Sequence, residues 1–357
     1  MINAKNYLNN MKSKPNNTDT ENEHKNGKSN KVAKKPKQKQ KLVSPLPMRH
    51  GVSASRVWLP KVGDYKNKTE KYGTWNTMLE FLVERFPFIS EEILIERLKR
   101  GHIVSQVGET FTPKSPYQPE IFLFYYREIP NEPEIPFKEE ILFENENIIV
   151  VDKPHFIPVT PSGRYVRESL LARLKHHYQN EDISPIHRLD RETAGVMLFS
   201  CNPEVRGAYQ NLFQQRQVKK TYEAIAAISD KIANSDFPLT YKSRIIQSEE
   251  TFFIMREEEG DANSETTIDI IETKGDLARY DLAPVTGRQH QLRVHLMSLG
   301  FPILNDPFYP ELLPSKGEDY SQPLQLLAKS IEFVDPISDE IIRFESKQTL
   351  SFPIINS

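Results

Sequence analysis

The feature that most restricts the fold lies between residues 187 and 199. His187-Arg-Leu-Asp190-Arg-Glu-Thr-Ala-Gly195 holds four charged residues and a histidine, and Thr193-Ala-Gly-Val-Met-Leu-Phe199 then runs without polar–apolar alternation. A strand lacking that period of two has both faces buried, so it needs a sheet covered on each side. Ile148-Ile-Val-Val151, which ends at Asp152-Lys-Pro154, asks for the same surroundings. Helical patterns flank these strands. Residues 168–177 place Leu170, Leu171 and Leu174 on one face. Asn202-Pro203-Glu204 reads as a helix start, with Val205, Ala208, Leu212 and Phe213 turned inward. Residues 289–299 read as a helix stopped by Gly300, with Leu292, Leu296 and Leu299 buried. Residues 218–227 read as a strand with Lys220, Tyr222 and Ala224 on one face. Strands and helices at unequal spacing predict an α+β fold, a mixed sheet with flanking helices.

Charge divides the chain unevenly. Residues 1–42 hold eleven lysines against three acids, a net +8, so a whole-chain charge of −2 leaves −10 on the remainder. The tail is rich in Asn, Gln, Ser and Thr, and it cannot bury enough apolar surface to offset its ordering entropy. It is therefore predicted to be disordered. Its lysine-rich core at residues 31–41 fits a polyanion-binding arm, a solubilising extension or a nuclear-localisation segment. An acidic body argues against coating RNA at large, so any nucleic-acid site there must be a local basic cleft.

Residues 43–72, with their Pro, Gly and charge, read as an irregular approach. Residues 73–127 read as a small helical module. Residues 74–86 form one helix with Met78, Phe81, Leu82 and Phe86 on a face. A second opens at Ser90, closes at Lys99-Arg100-Gly101 and turns Ile93, Leu94 and Leu98 to the first. A strand-like stretch follows at residues 102–107. Residues 128–138 are Pro-rich and polar and read as an extended linker. A second globular unit begins near Ile141 and defines a domain over residues 139–357.

The longest apolar run, Ile121 to Tyr126, is far short of a membrane span, and Met1 to Asn10 lacks a signal-peptide pattern. The single cysteine, Cys201, excludes an internal disulfide framework and a cysteine-cluster zinc site, and it fits a reducing compartment. A Gly-rich phosphate loop, a dinucleotide fingerprint and a Gly-x-Ser-x-Gly elbow are all missing from the sequence.

Three segments could carry chemistry. The 187–195 segment can put a carboxylate at the mouth of the core, or be a surface loop with an Asx-type cap. Gly287-Arg-Gln-His-Gln-Leu-Arg293-Val-His-Leu296 gathers two Arg, two His and two Gln at a helix start, a natural anion site. His290 and His295 stand five apart without a His-Glu-x-x-His pattern, so they read as satisfied polar histidines rather than zinc ligands. Lys219-Lys-Thr-Tyr222-Glu-Ala puts a tyrosine on a strand, by default a core position. Taken together, one carboxylate, one cationic partner and one aromatic face suit chemistry on a flat, neutral ring. An Asp190 beside an Arg stays ionised, and an ionised Asp in a dry pocket can act as a nucleophile.

His187-Arg-Leu-Asp-Arg-Glu-Thr-Ala-Gly-Val-Met-Leu resembles the signature of the RluA-type pseudouridine synthases. Lys220-Thr-Tyr-Glu-Ala224 is similar to their tyrosine motif. Gly287 to Leu296, followed by Gly300-Phe-Pro-Ile-Leu-Asn-Asp-Pro-Phe-Tyr309, is similar to their arginine motif. Ile149-Val-Val-Asp-Lys-Pro154 and Leu326-Leu-Ala-Lys-Ser-Ile-Glu-Phe333 resemble the opening and closing segments. The matches fall in family order over residues 141–346. Ala194 departs from the usual Ser, and Leu327 from the His of many members. Residues 73–127 are loosely similar to the S4-like RNA-binding module of some members.

The resemblance implies the pseudouridine synthase fold, α+β with a mixed, mostly antiparallel sheet and flanking helices. It implies an isomerase, without cofactor or metal, that converts uridine to pseudouridine in structured RNA. Asp190 would be the nucleophile, attacking ribose C1′ or uracil C6. Tyr222 would stack on the base and assist proton transfer from C5, and Arg293 would pair with Asp190. Arg188 would contact RNA near the displaced nucleotide, with His187, Lys220, Arg288, His290 and Gln291 as further RNA- or base-binding residues. The uridine must leave its stack at a cost of a few kcal/mol, which favours loops over duplex. Large-subunit ribosomal RNA is the first expected target and a tRNA anticodon-arm uridine the second. The chain is expected to be a cytoplasmic monomer that binds RNA, with no membrane association and no obligate protein partner. Two rivals remain open: a non-catalytic RNA-binding or ribosome-assembly protein, and a base-releasing nucleoside hydrolase.

Overall fold

The computed structural model describes residues 42–61, 63–64, 73–129, 131–228, 236–314 and 317–353. The lysine-rich tail, save Leu42, lies outside them. The chain divides into two units, one of residues up to Arg49 together with Ser53–Glu128, the other of His50–Val52 and Ile129–Ser357.

The first unit pairs two short helices with a three-stranded sheet. Its elements are β1 (Ser55–Trp58), α1 (Met78–Arg85), α2 (Glu91–Lys99), β2 (Ile103–Ser105) and β3 (Phe122–Tyr125). β3 is central and antiparallel to both neighbours. The 43–72 segment, expected to be irregular, supplies β1. Its partner β3 lies more than sixty residues away, so no local pattern announces the pairing. α1 starts later than expected because Thr77 caps it, its hydroxyl accepting the Glu80 N–H at 3.2 Å. α2 is capped by Ser90 as expected. Leu94 and Leu98 are buried, but Ile93 is 41% exposed. The inward stripe runs instead through Arg97, whose guanidinium pairs with Glu128.

The second unit is built on an eleven-stranded sheet. It holds β4 (Glu140–Glu144), β5 (Ile148–Lys153), α3 (Leu170–Tyr178), β6 (Ser184–Pro185), β7 (Ala194–Ser200), α4 (Arg206–Gln214) and β8 (Lys219–Ala227). These are followed by β9 (Leu239–Gln247), β10 (Met255–Glu258), β11 (Ser264–Lys274), β12 (Leu277–Pro284), α5 (Gln291–Ser298), β13 (Leu326–Val334) and β14 (Ile341–Glu345). The strand order is β10-β9-β11-β12-β8-β13-β7-β5-β4, with β6 on β7 and β14 on β13. Among the described residues one pairing is parallel, β13 with β7, and the rest are antiparallel. The fold is thus the mixed, mostly antiparallel α+β class.

β5 and β7 are buried along their whole length, and the reason is visible in two cores. Ile149, Val151, Met197 and Phe199 pack with Leu170 and Leu174 of α3 on one face. Ile148, Val150, Val196 and Leu198 pack with Tyr209 of α4 on the other. Each such side chain contributes about 1.5–3 kcal/mol when fully buried, so the layers on both sides fix the register of this centre.

Three local expectations are revised. α4 begins at Arg206, because Asn202 closes an Asx turn by accepting the Glu204 N–H at 3.0 Å. Its fully buried residue is Tyr209, whose hydroxyl donates to Asp335. Residues 131–138 of the expected linker are packed against the second unit's core. Ile135 enters the core, and Glu132 accepts the N–H groups of Val166, Arg167 and Glu168. α5 starts two residues late because His290 takes a left-handed φ of +55°.

Candidate active site

The loop from residue 186 to 193, between β6 and β7, is tied to the fold at almost every residue. His187 stacks on Phe213, with ring centroids 4.7 Å apart, and its Nε2 accepts the Leu198 N–H at 3.1 Å. Leu189 joins the core. Lys153, fully buried at the end of β5, donates to the carbonyls of Pro154, Ile157 and Arg191. His155 donates through Nδ1 to the Glu192 carbonyl at 2.6 Å. Gly195 then holds φ +114° where β7 meets β13. An added Cβ there would sit 2.2 Å from the Ala328 carbonyl oxygen.

This scaffold presents Asp190 with its side chain 20% exposed, facing α5. Arg293 of α5, 1% exposed, donates through Nη1 to Asp190 Oδ2 at 3.1 Å. The same guanidinium forms a two-point clamp on Asp306, Nε to Oδ2 at 2.8 Å and Nη2 to Oδ1 at 2.6 Å. Asp306 also accepts the N–H groups of Phe308 and Tyr309. A planar donor with five N–H groups suits such double duty, and Lys could not replace it.

Burial alone would raise the Asp190 pKa. His290, Arg293 with its hydrogen bond, and Arg188 outweigh it and hold the carboxyl below its ordinary value. Burial pushes His290 itself down to about 4, so at neutral pH its ring acts as a dipole and Arg293 carries the charge. Burial, and after it the Asp190 charge, raises Tyr222, which therefore keeps its proton. The site thus combines an ionised carboxylate, a fixed cation and a protonated phenol.

These groups border a cavity of about 580 Å³. Every expected site residue lines it: His187, Arg188, Asp190, Lys220, Tyr222, Arg288, His290, Gln291 and Arg293. Their roles differ from expectation in two cases. Gln291 spends its amide on Thr286, the Arg288 N–H, the Glu265 carbonyl and Thr266, so it shapes the wall. His187, stacked and bonded as above, anchors the loop. Arg188 and Arg288 are exposed at the rim and Lys220 is half-buried, its ammonium donating to the Thr286 carbonyl. Arg216, also exposed at the rim, was not anticipated; the basic run before β8 is its only signal in the sequence. The rim is a local basic cleft on an acidic body. Both nitrogens of His295 bond hydroxyls, those of Ser264 and Thr266. No group of three or more His, Cys, Asp or Glu suited to a metal occurs among the described residues.

The family described as RNA pseudouridylate synthase matches residues 147–298, which include all the cavity-lining residues named above. Pseudouridylate synthase RPUSD2 of Homo sapiens is 34% identical over half of this chain, but the match covers 32% of its own length. The mitochondrial tRNA pseudouridine(32) synthase of Saccharomyces cerevisiae is 31% identical over 48% of this chain and 37% of its own. The dual-specificity RNA pseudouridine synthase RluA of Vibrio parahaemolyticus is 32% identical over 56% of this chain and 79% of its own length.

Proposed function

This chain belongs to the RluA-type RNA pseudouridine synthase family, and from that membership we propose that it isomerises uridine to pseudouridine in structured RNA with Asp190 as the nucleophile. The observation that carries the reading is the Asp190–Arg293 pair at 3.1 Å, at the mouth of a basic-rimmed cavity. Asp190 is ionised and held still, as a nucleophile must be. Its attack leads to cleavage of the C–N glycosidic bond; the base turns, C5 joins C1′, and the C5 proton leaves. Tyr222 stacks on the base from β8 and, as a protonated phenol, relays the C5 proton to solvent, releasing its own O–H proton as it takes that one up. Arg188, Arg288 and Lys220 hold the RNA around the displaced nucleotide, which pays its unstacking cost most easily from a loop.

Large-subunit ribosomal RNA is the proposed target. This first target comes by family analogy, with tRNA as the second reading; a relative named for a tRNA uridine supports the second. Cytoplasmic residence belongs to the proposal and rests on the single cysteine; a monomer is its default state. The test is C5-tritium release from labelled ribosomal RNA fragments and labelled tRNA in parallel. Release from ribosomal RNA alone supports the first target. Release from tRNA alone overturns it, and free uracil would replace isomerisation with hydrolysis.

A further inference from the structure

His290 sits between two polar partners. Its Nδ1 lies 2.8 Å from the Tyr309 hydroxyl, and its Nε2 lies 3.7 Å from Asp190 Oδ1. The ring is buried, and its left-handed backbone turns it into this position. Tyr309 is fixed in turn: its oxygen accepts the Met255 N–H at 2.9 Å, and its one hydroxyl proton has two acceptors within reach, the Met255 carbonyl at 3.1 Å and His290 Nδ1 at 2.8 Å. The charged groups around the ring are Asp190, Arg293, Asp306 and Arg188.

A neutral imidazole carries one N–H. With the proton on Nδ1, the lone pair of Nε2 would face a carboxylate oxygen, like against like. With the proton on Nε2, an N–H faces that carboxylate and Nδ1 needs a donor, which Tyr309 becomes by turning its proton from the Met255 carbonyl to the nearer Nδ1. The ionised Asp190 selects the second arrangement.

We propose that Tyr309 is a positioning residue for the isomerisation: its hydroxyl donates to Nδ1 of His290, fixes the Nε2–H tautomer and aims that N–H at Asp190 Oδ1. The inference rests on the reading of Asp190 as nucleophile. At 3.7 Å the contact is longer than a hydrogen bond. The N–H therefore favours the anion as a dipole without occupying Oδ1, while Arg293 holds Oδ2. One carboxylate oxygen stays available to the substrate.

The test joins a spectrum to a rate. In long-range proton–nitrogen spectra of the full chain labelled with ¹⁵N-histidine, the His290 signal is the one lost in His290→Gln. The Nε2–H tautomer is expected, and an Nδ1–H signal overturns the proposal. Tyr309→Phe should lower the single-turnover rate of tritium release about 10-fold with RNA affinity unchanged. His290→Gln offers an N–H near the Nε2 position without needing Nδ1, so Tyr309→Phe in that background should cost no further rate. An equal loss in both backgrounds would make Tyr309 a structural tie to β10 and overturn the proposal. If the wild-type chain releases no tritium from any RNA, the functional reading falls and the spectrum alone decides the tautomer.

Discussion

Arg293 is shared between two carboxylates: Asp306, itself fully buried, takes two of its bonds, and Asp190 takes the third at 3.1 Å. Asp306 thus sets the plane in which the guanidinium meets Asp190. Asp306→Asn breaks a buried pair and should destabilise the chain by roughly 3–5 kcal/mol. Urea unfolding at pH 7 checks this, and the folded fraction should isomerise more slowly with RNA affinity kept. Arg293→Lys should fail in the same assay, because an ammonium cannot span both carboxylates.

Four histidines, two buried and two partly buried, should govern acid stability. Burial lowers His187 to about 3 and His155, His290 and His295 to about 4, against an ordinary 6.5. Between pH 6.5 and 4 the unfolded chain binds protons that the folded one refuses, so stability falls as pH drops through this window. Each histidine adds up to about 1.4 kcal/mol per pH unit. Urea midpoints measured from pH 7 to 5 should fall steadily, and His295→Gln should remove one proton's share of the slope. A flat profile contradicts the neutral buried state.

Lys153 joins the end of β5 to the loop that carries Asp190 through its bond to the Arg191 carbonyl. Lys153→Met would leave three buried carbonyls without this donor, each worth about 1–3 kcal/mol. Thermal unfolding should show a loss of several kcal/mol, and hydrogen exchange in residues 187–193 should rise more than in β11. Uniform exchange would make the lysine a general core residue.

Gly195→Ala should be among the most damaging single changes. The left-handed φ and the 2.2 Å approach to the Ala328 carbonyl forbid a side chain where β7 pairs with β13. Soluble yield and melting temperature check this. A variant as stable as wild type would contradict the described pairing.

What could be read ahead of the structure follows the range of the interaction. β5 and β7 were legible because burial on both faces erases alternation within a few residues. β1 was not, since its partner β3 lies far along the chain. Asn202 misled because one side chain can cap a helix or close a turn, and its bond to the Glu204 N–H chose the turn. In the site, Asp190, Tyr222 and Arg293 lie in dense local motifs. The tie of Asp306 to Arg293 and that of Lys153 to Arg191 are tertiary, and spacing does not show them. Gln291 and His187 look like ligand contacts in sequence because nothing local shows that the fold has already used their polar atoms.

The central claim is tested most directly by tritium release from C5-labelled RNA, with wild type and Asp190→Asn side by side and free uracil measured in the same samples. Release by wild type alone is expected, with no free uracil and with RNA binding by the variant within a few-fold. Normal release by Asp190→Asn would contradict the assignment of the nucleophile, and tight RNA binding by a wild-type chain that releases no tritium would contradict the isomerase itself.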